Sequence, residues 1–152
     1  MDLKDILAIG GKQGLFKFIS QTKNGIIVEG LQDKKRIPAY STDKVSALED
    51  IAIFTDSGEV PLGEIFAAIF KKEEGKPAIS HKAAPEEMKG YFAEILPDYD
   101  RNRVYTSDMK KVFMWYNILQ ELGMVDGEFK KEEEEPEKEE KEKKTGKKEK
   151  DS

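Results

Sequence analysis

The spacing of apolar residues divides the first 125 residues into a β-rich half and a helical half. In the first half, four short runs rich in β-branched and aromatic residues are separated by polar turns, which predicts strands. Asn24 and Gly25 lie between the first two runs, and Asn-Gly is the strongest short signal for a β-hairpin. The predicted strands cover residues 15–22, 26–31, 36–40 and 51–55.

The first two predicted strands carry apolar side chains on both faces. Leu15 and Ile19 alternate with Phe16 and Phe18, whereas a sheet with one face in water shows a cleaner alternation. Pro38 places the third strand at an edge or a bulge, because proline has no N–H to donate. We therefore expect a small, bent antiparallel barrel of the SH3-like or Sm-like kind, or a sheet covered by a helix.

Two short helical segments are predicted within this half. Leu3, Ile6 and Leu7 follow Asp2 at helical spacing, which predicts an N-terminal helix that ends at the next glycine pair. Further along, Ser, Thr and Asp side chains offer N-cap oxygens for a single helical turn over residues 41–48.

Three amphipathic helices are predicted in the second half. Pro61 and Pro85 suit the first position of a helix, and Gly123 suits the position after a helix ends. The helices are predicted from 61 to about 74, from 85 to just before Pro97, and from about 107 to 122.

The composition changes at the C-terminal end. Residues 128–152 hold 11 acidic and 9 basic residues and no apolar residue after Phe129, so they bury too little surface to fold. The sequence therefore predicts an α+β protein with three parts: a small β-barrel domain at 1–60, a helical domain at 61–125 with a linker at about 75–85, and a disordered Lys/Glu tail at 126–152.

Composition also excludes some classes of function. The chain has 31 acidic and 26 basic residues, and residues 1–127 contain 20 of the acidic and 17 of the basic ones. Because this part of the chain carries no excess of positive charge, its composition argues against a strong nonspecific nucleic-acid binder. The absence of cysteine excludes disulfides and sulfur-ligated metals. The apolar run at residues 6–9 is too short for a signal peptide or a membrane span, so we expect a cytoplasmic protein that does not bind membranes.

Two motifs share residues with known ligand-binding loops. The sequence GGKQG at residues 10–14 has the composition of a phosphate-binding loop, but no Ser or Thr follows Lys12, and a helix followed by a strand is the reverse of the required order. Asp98, Asp100 and Asn102 match positions one, three and five of a calcium loop. That match fails because Arg103 replaces the required glycine and Met109 replaces the required glutamate.

The simpler interpretation of these motifs is a flexible connector at residues 10–14 and a polar turn at residues 98–105, whose arginines pair with nearby acids. His81 is the one histidine and lies in the predicted linker, with no neighbour that suggests a catalytic or metal site. An enzyme is the least favoured class, since no nucleophile, metal or cofactor motif is present. We predict no cofactor.

Two groups of residues are candidate contacts for a partner. Trp115 and Tyr116 lie on the wide apolar stripe of the third helix, where core packing is the simpler interpretation and an exposed anchor for a protein is the alternative. Lys34, Lys35 and Arg36 precede the third strand and form a basic edge to which RNA could bind.

Three runs of the chain resemble a known family. They are GLFKFISQTKNGIIVEGL, RIPAYSTDKVSALEDIAIFT and LPDYDRNRVYTSDMKKVFMWYNIL, and they are similar to an uncharacterised bacterial domain-of-unknown-function family found mainly in Bacteroidetes. The resemblance covers about residues 1–125. It implies a cytosolic bacterial protein and supplies no activity, substrate or site residue.

The function that the sequence favours is a noncatalytic interaction or adaptor module with a protein partner. The alternative is an RNA-binding regulatory protein that uses the basic edge of the small barrel. The oligomeric state does not follow from the sequence.

Overall fold

The computed structural model describes residues 1–129 of the 152-residue chain. These residues form an α+β fold, as predicted, and no helix within them is long and apolar enough to cross a membrane. A 3₁₀ turn, Leu48–Asp50, lies between β5 and β6. The other elements are β1 (Ile6–Ile9), β2 (Phe16–Gln21), β3 (Gly25–Gly30), β4 (Arg36–Tyr40), β5 (Val45–Ala47), β6 (Ala52–Thr55), β7 (Gly58–Pro61), α1 (Leu62–Glu73), α2 (Pro85–Ile95) and α3 (Thr106–Glu121).

Five strands form one antiparallel sheet in the order β4-β3-β2-β1-β5, and β6 pairs with β7 in a separate hairpin. Within the described residues the outer strands β4 and β5 do not pair with each other, so the sheet is not the closed barrel that we expected. The reason is that β5 has only three residues. The 3₁₀ turn after it leads the chain into β6, which pairs with β7 instead of closing the sheet. The edge position that Pro38 predicted for β4 is confirmed.

The sheet nevertheless curls around its own apolar face. Residues of all five strands share a second, smaller core on that face: Leu7, Ile9, Phe16, Val28 and Ala39 are buried, and Phe18, Ile26, Ile37 and Ala47 pack against them. The helices cover part of the opposite face. Apolar side chains on both faces of β2 were therefore a correct sign that neither face is fully in water.

The predicted hairpin between β2 and β3 is confirmed. The Thr22 N–H donates to the Gly25 carbonyl at 2.8 Å. A Cβ atom at Gly25 would lie 2.1 Å from the Ala39 carbonyl oxygen, so β3 and β4 approach too closely there for any other residue. The register of β2 against β3 shifts between Phe18 and Ser20, which marks a β-bulge.

Residues 6–9 form strand β1, and the predicted N-terminal helix is wrong. A tight turn with Asp5 at φ 65° precedes the strand, which then pairs with both β2 and β5. Ile6 packs into the main core, while Leu7 and Ile9 pack into the smaller core on the opposite face. A strand buried on both faces needs apolar residues at neighbouring positions. In this segment those residues also have the spacing of a helix, which explains the wrong prediction.

The predicted helical turn over residues 41–48 is also wrong. Most of this segment forms a loop and β5, which pairs with β1, and the 3₁₀ turn follows. The Tyr40 N–H donates to Asp43 Oδ2 at 2.8 Å, and the Asp43 N–H donates to the Tyr40 carbonyl at 2.9 Å. Asp43 therefore closes a turn after β4 and caps no helix.

The three predicted helices are confirmed, and they share the main core with the sheet. Leu3, Ile6, Leu15 and Leu31 of the β-rich half lie in the same cluster as the buried residues of the helices. The largest fully buried side chains of the helices in this cluster are Phe66, Phe92, Phe113 and Tyr116. The ring of Phe92 lies edge-on to those of Tyr99 and Phe113, with centroids 5.2 and 6.1 Å away.

The segment predicted as a linker is hydrogen-bonded to α3. Asn117 accepts a hydrogen bond from the Ala78 N–H at 2.7 Å, and the Gln120 side chain donates to the Gly75 carbonyl at 3.1 Å. Ala78 and Ile79 also pack against the main core. This loop thus adds contacts between α1 and α3.

The first residues of the predicted tail, 126–129, lie against the folded body. The Met1 ammonium donates to the Asp126 carboxylate at 2.9 and 3.0 Å. The Phe129 ring lies on α1, so closely that a Cβ atom at Gly63 would be 2.1 Å from it. The remainder of the predicted disordered tail, residues 130–152, lies outside the described residues.

The shared core predicts that the sheet and the helices unfold together. Leu15 is 2% exposed, and we expect Leu15→Ala to lower the free energy of unfolding by about 2–5 kcal/mol. Urea unfolding followed by Trp115 fluorescence, which reports on α3, should shift as much as unfolding followed by far-UV circular dichroism. Tyr40→Ala, at a 53% exposed position, should change stability by less than about 0.5 kcal/mol. An unchanged Trp115 transition in Leu15→Ala would contradict a common core.

Candidate binding groove between the sheet and the third helix

Two adjoining cavities lie where the β5 end of the sheet meets α3. The Phe54 cavity has a volume of about 250 Å³ and the Lys12 cavity a volume of about 270 Å³. Ser46 of β5 and Lys111 and Trp115 of α3 line both cavities. We call the two cavities together the Trp115 groove.

Trp115 and Tyr116 face different parts of the structure, because neighbouring residues of a helix point about 100° apart. Trp115 is 9% exposed and forms part of the wall that both cavities share. Tyr116 is fully buried, and its hydroxyl donates to the Lys76 carbonyl at 3.1 Å. Burial raises the pKa of Tyr116 to about 12. Both residues belong to the main core, and Tyr116 has no exposed surface to offer a partner.

The Phe54 cavity combines an apolar wall with a charged rim. Phe54 is an exposed aromatic residue of β6, with 39% of its surface open to solvent. The Arg103 guanidinium lies over its ring, 4.2 Å from the centroid. Asp108 and Lys111 complete the charged rim. The rest of the apolar lining consists of Ile51, Ala52, Ile53, Leu62, Val104, Val112 and Trp115.

The loop before α3 holds Arg103 in this position because it runs beside β6. The Asp56 N–H donates to the Asp98 carbonyl at 2.9 Å, and the Asp100 N–H donates to the Phe54 carbonyl at 3.0 Å. Arg103 Nε lies 2.9 Å from Asp100 Oδ2. The predicted pairing of an arginine with a nearby acid is confirmed for this pair.

The same contacts explain how the rejected calcium loop is built. Asp100 binds the Arg103 side chain and accepts the Asn102 N–H at 2.9 Å. Arg101 instead donates to the carbonyls of Pro97 and Tyr99 at 2.8 and 2.7 Å. Among residues 1–129, no group of three or more Asp, Glu and His side chains is arranged to hold a metal ion.

The Lys12 cavity is lined by three lysines from three different elements. Lys12 follows the turn after β1, Lys44 precedes β5, and Lys111 belongs to α3. All three are exposed, and none forms an ion pair with another described residue. Met114 and Trp115 of the same helix as Lys111 contribute apolar lining to the cavity.

The predicted basic edge, Lys34, Lys35 and Arg36, lies elsewhere, at the turn from β3 to β4. This turn belongs to the opposite end of the strand order from β5, so the fold does not bring these residues together with Trp115. Arg36 Nε lies 3.0 Å from Glu29 Oε1, which neutralises part of the edge. Lys34 has φ 61° and lies in the left-handed region.

Sequence reasoning missed most of the residues that make this groove. Phe54 lies in the strand predicted over residues 51–55, and Lys44 and Lys111 are 67 positions apart in the sequence. They share a cavity only because β5 pairs with β1 and α3 packs beside them. The sequence does single out Lys12, in the glycine-rich run at residues 10–14, and Trp115, the chain's one tryptophan, on a widened apolar stripe.

The comparisons with known proteins divide the chain at the 3₁₀ turn. Residues 3–48 match a domain of unknown function, DUF5606, and residues 51–119 match another, DUF6852. A solution NMR structure of a Bacteroides vulgatus protein, a Northeast Structural Genomics Consortium target, is 54% identical to this chain, with a TM-score of 0.70. The match covers 82% of this chain and 89% of that chain. A comparison with curated proteins finds no match.

The Trp115 groove lies between these two matched regions. Lys12 and Lys44 fall in the first, and Phe54, Lys111 and Trp115 fall in the second. Binding sites form preferentially at such junctions between domains.

The Arg103 contact predicts how Asp100 titrates. The Arg103 side chain, and then the Asn102 N–H, lower the pKa of the Asp100 carboxyl from its ordinary value of 3.8. The stabilisation by this pair is therefore present above the unfolded pKa and is lost as pH falls through the lower folded pKa. An NMR titration of the Asp100 carboxyl carbon should give a midpoint below 3.8. Arg103→Gln should raise that midpoint, whereas Arg101→Gln, which removes no contact to Asp100, should leave it unchanged.

Proposed function

The chain belongs to a Bacteroidetes family built from two domains of unknown function, and we propose that it is a noncatalytic interaction module that binds a protein partner in the Trp115 groove. One observation carries the proposal: the partly exposed Phe54 ring opens onto an apolar cavity whose rim is charged. Interface hot spots have this anatomy, with an aromatic and apolar centre inside a polar rim.

The charges around the groove favour an acidic partner. Arg103 is already paired with Asp100, and Asp108 accepts the Tyr105 N–H at 2.9 Å. The lysines of the Lys12 cavity have no such partner among the described residues. They form a local positive surface on a chain of net charge −5. We therefore propose that the partner inserts an apolar side chain into the Phe54 cavity and places carboxylates or other anions beside the lysines.

The groove's polar groups favour binding over catalysis. Ser46 and Asp108 are the hydroxyl and the carboxylate that line it, and the carboxylate is engaged at the start of α3. The serine nucleophile of a Ser-His-Asp triad is activated by a histidine base. The chain's one histidine, His81, belongs to the loop between α1 and α2 and does not line either cavity.

Two further parts of the proposal concern fold type and location. We interpret the curled sheet as an SH3-like half-barrel, because side chains of all five strands share one apolar cluster. We also propose a cytoplasmic location, which the cysteine-free composition supports.

Selection from a random peptide library tests the proposed partner chemistry. Peptides selected by the full chain should share an apolar residue flanked by Asp or Glu. Phe54→Ala should weaken the best peptide about thirtyfold, which corresponds to a hot-spot loss of about 2 kcal/mol. Lys111→Glu should remove the preference for acidic residues, since it reverses the charge shared by both cavities.

Lys89→Glu is the matched control, because Lys89 is an exposed lysine of α2 outside the groove. It should leave both the peptide consensus and the affinity unchanged. Peptides without a common pattern, or peptides whose binding is insensitive to Phe54→Ala, would overturn the assignment of the groove.

RNA binding is a second proposal, and the exposed Tyr40 favours it. Arg36, Pro38 and Tyr40 alternate on the outward side of β4, and Tyr40 is 53% exposed. A base could stack on this ring while the basic edge contacts phosphates. Glu29 opposes this function because it pairs with Arg36, so we rank it below the protein-binding proposal.

Fluorescence anisotropy with a labelled mixed-sequence RNA tests the second proposal. With about three phosphate contacts, affinity should fall roughly twentyfold between 50 and 200 mM salt. Lys35→Glu and Tyr40→Ala should each weaken binding, whereas Lys89→Glu should not. Binding that is absent, or that does not respond to salt, would rule this function out.

A further inference from the structure

We propose that the Lys12 cavity binds a phosphoryl group, carried on a side chain of the protein partner. The anion site is inferred from the cavity itself. The protein source of the phosphoryl group rests on the proposed function of the Trp115 groove.

The first component of the site is the turn between β1 and β2. The Lys12 N–H donates to the Ile9 carbonyl at 3.0 Å, and Gly11 has φ +82°, a conformation that suits glycine. The Gly11 N–H has no acceptor among the described residues and is free to donate to an anion. Backbone amides in such turns, beside basic side chains, bind phosphate groups.

The second component is the close approach of Lys44 to this turn. The Gly10 N–H donates to the Lys44 carbonyl at 2.7 Å, and a Cβ atom at Gly10 would lie 3.2 Å from the Lys44 Cβ. The pairing of Ile9 with Val45 fixes this contact. Both glycines of the pair therefore have a defined role: Gly10 admits Lys44, and Gly11 makes the turn.

The third component is Lys111, which α3 contributes from the other side. Together with Lys12 and Lys44 it gives the cavity three lysines, and no carboxylate residue lines the cavity. An anion bound there would be attracted by all three lysines. A phosphoryl group carries more charge than a carboxylate and has three acceptor oxygens, which matches three ammonium groups better than a glutamate does.

The size of the cavity favours a phosphorylated side chain over a larger ligand. A volume of about 270 Å³ lies just below the range typical of pockets for drug-sized molecules. A phosphoryl group fits at the lysines while its stem contacts Met114 and Trp115. The site is not a P-loop, because the glycine turn connects two strands, β1 and β2, and no helix follows it.

NMR titration of the full ¹⁵N-labelled chain with O-phospho-L-serine tests the site. The amides of Gly10, Gly11 and Lys12 and the Trp115 indole should shift along a common saturable curve. L-serine should cause no shifts, and L-glutamate should bind at least about tenfold more weakly, because a carboxylate provides fewer charge-assisted hydrogen bonds. Shifts spread evenly over all exposed lysines would overturn the proposal.

Matched substitutions distinguish phosphoserine binding in this cavity from nonspecific attraction of phosphoserine to any exposed lysine. Lys44→Gln and Lys12→Gln should each weaken phosphoserine binding about tenfold, whereas Lys35→Gln, outside the cavity, should not. All three positions are exposed, so amide spectra can establish that each variant keeps the fold. Equal binding by Lys44→Gln and the natural chain would remove the anion site.

Competing ligands identify the source of the phosphoryl group and keep the two proposals distinguishable. A peptide with phosphoserine near an apolar residue should bind more tightly than AMP or inorganic phosphate, and Phe54→Ala should weaken the peptide alone. Tighter binding of AMP would leave the anion site intact and overturn the protein source. Peptides that bind equally well with Ser, Glu or phosphoserine, yet depend on Phe54, would overturn this inference while supporting the proposed function.

Discussion

Burial of β1 on both faces is the constraint on which the rest of the structure depends. Ile6 points into the core shared with the helices, and Leu7 and Ile9 point into the core of the curled sheet. Because β1 also pairs with β2 and β5, it links these strands to the core that it shares with α3. The Trp115 groove exists where this strand's C-terminal end, the start of β5 and α3 come together.

The sequence predicted those elements whose conformation is set by neighbouring residues, and it failed for elements that depend on contacts between distant parts of the chain. Signals from residues adjacent in sequence predicted the Asn-Gly hairpin, the edge position of Pro38 and the three helices bounded by proline or glycine. All of these predictions are confirmed. β1 and β5 were misread because their conformation comes from pairing across the sheet, which overrides local helical spacing and capping signals. The groove was hidden for the same reason, since its lysines come from three separated elements.

The Lys12 turn shows how one misread element changes the interpretation of a motif. A helix before the glycine pair made phosphate binding implausible, whereas the structure has a strand there and brings Lys44 and Lys111 to the turn. The P-loop comparison remains inapplicable, but the chemistry of a glycine turn beside ammonium groups does not require that motif. Phe54 and the lysines also give the groove two chemically different compartments, one apolar and one cationic.

The open edges of the sheet limit how a partner can attach. β4 contains Pro38, which has no N–H to donate, and β5 is only three residues long. Both outer strands are therefore poor templates for adding another strand, a property that protects sheets against edge-to-edge aggregation. A partner of this protein should accordingly be recognised through side chains in a concave surface, and its sequence preferences should depend on residue chemistry and not on β-strand propensity.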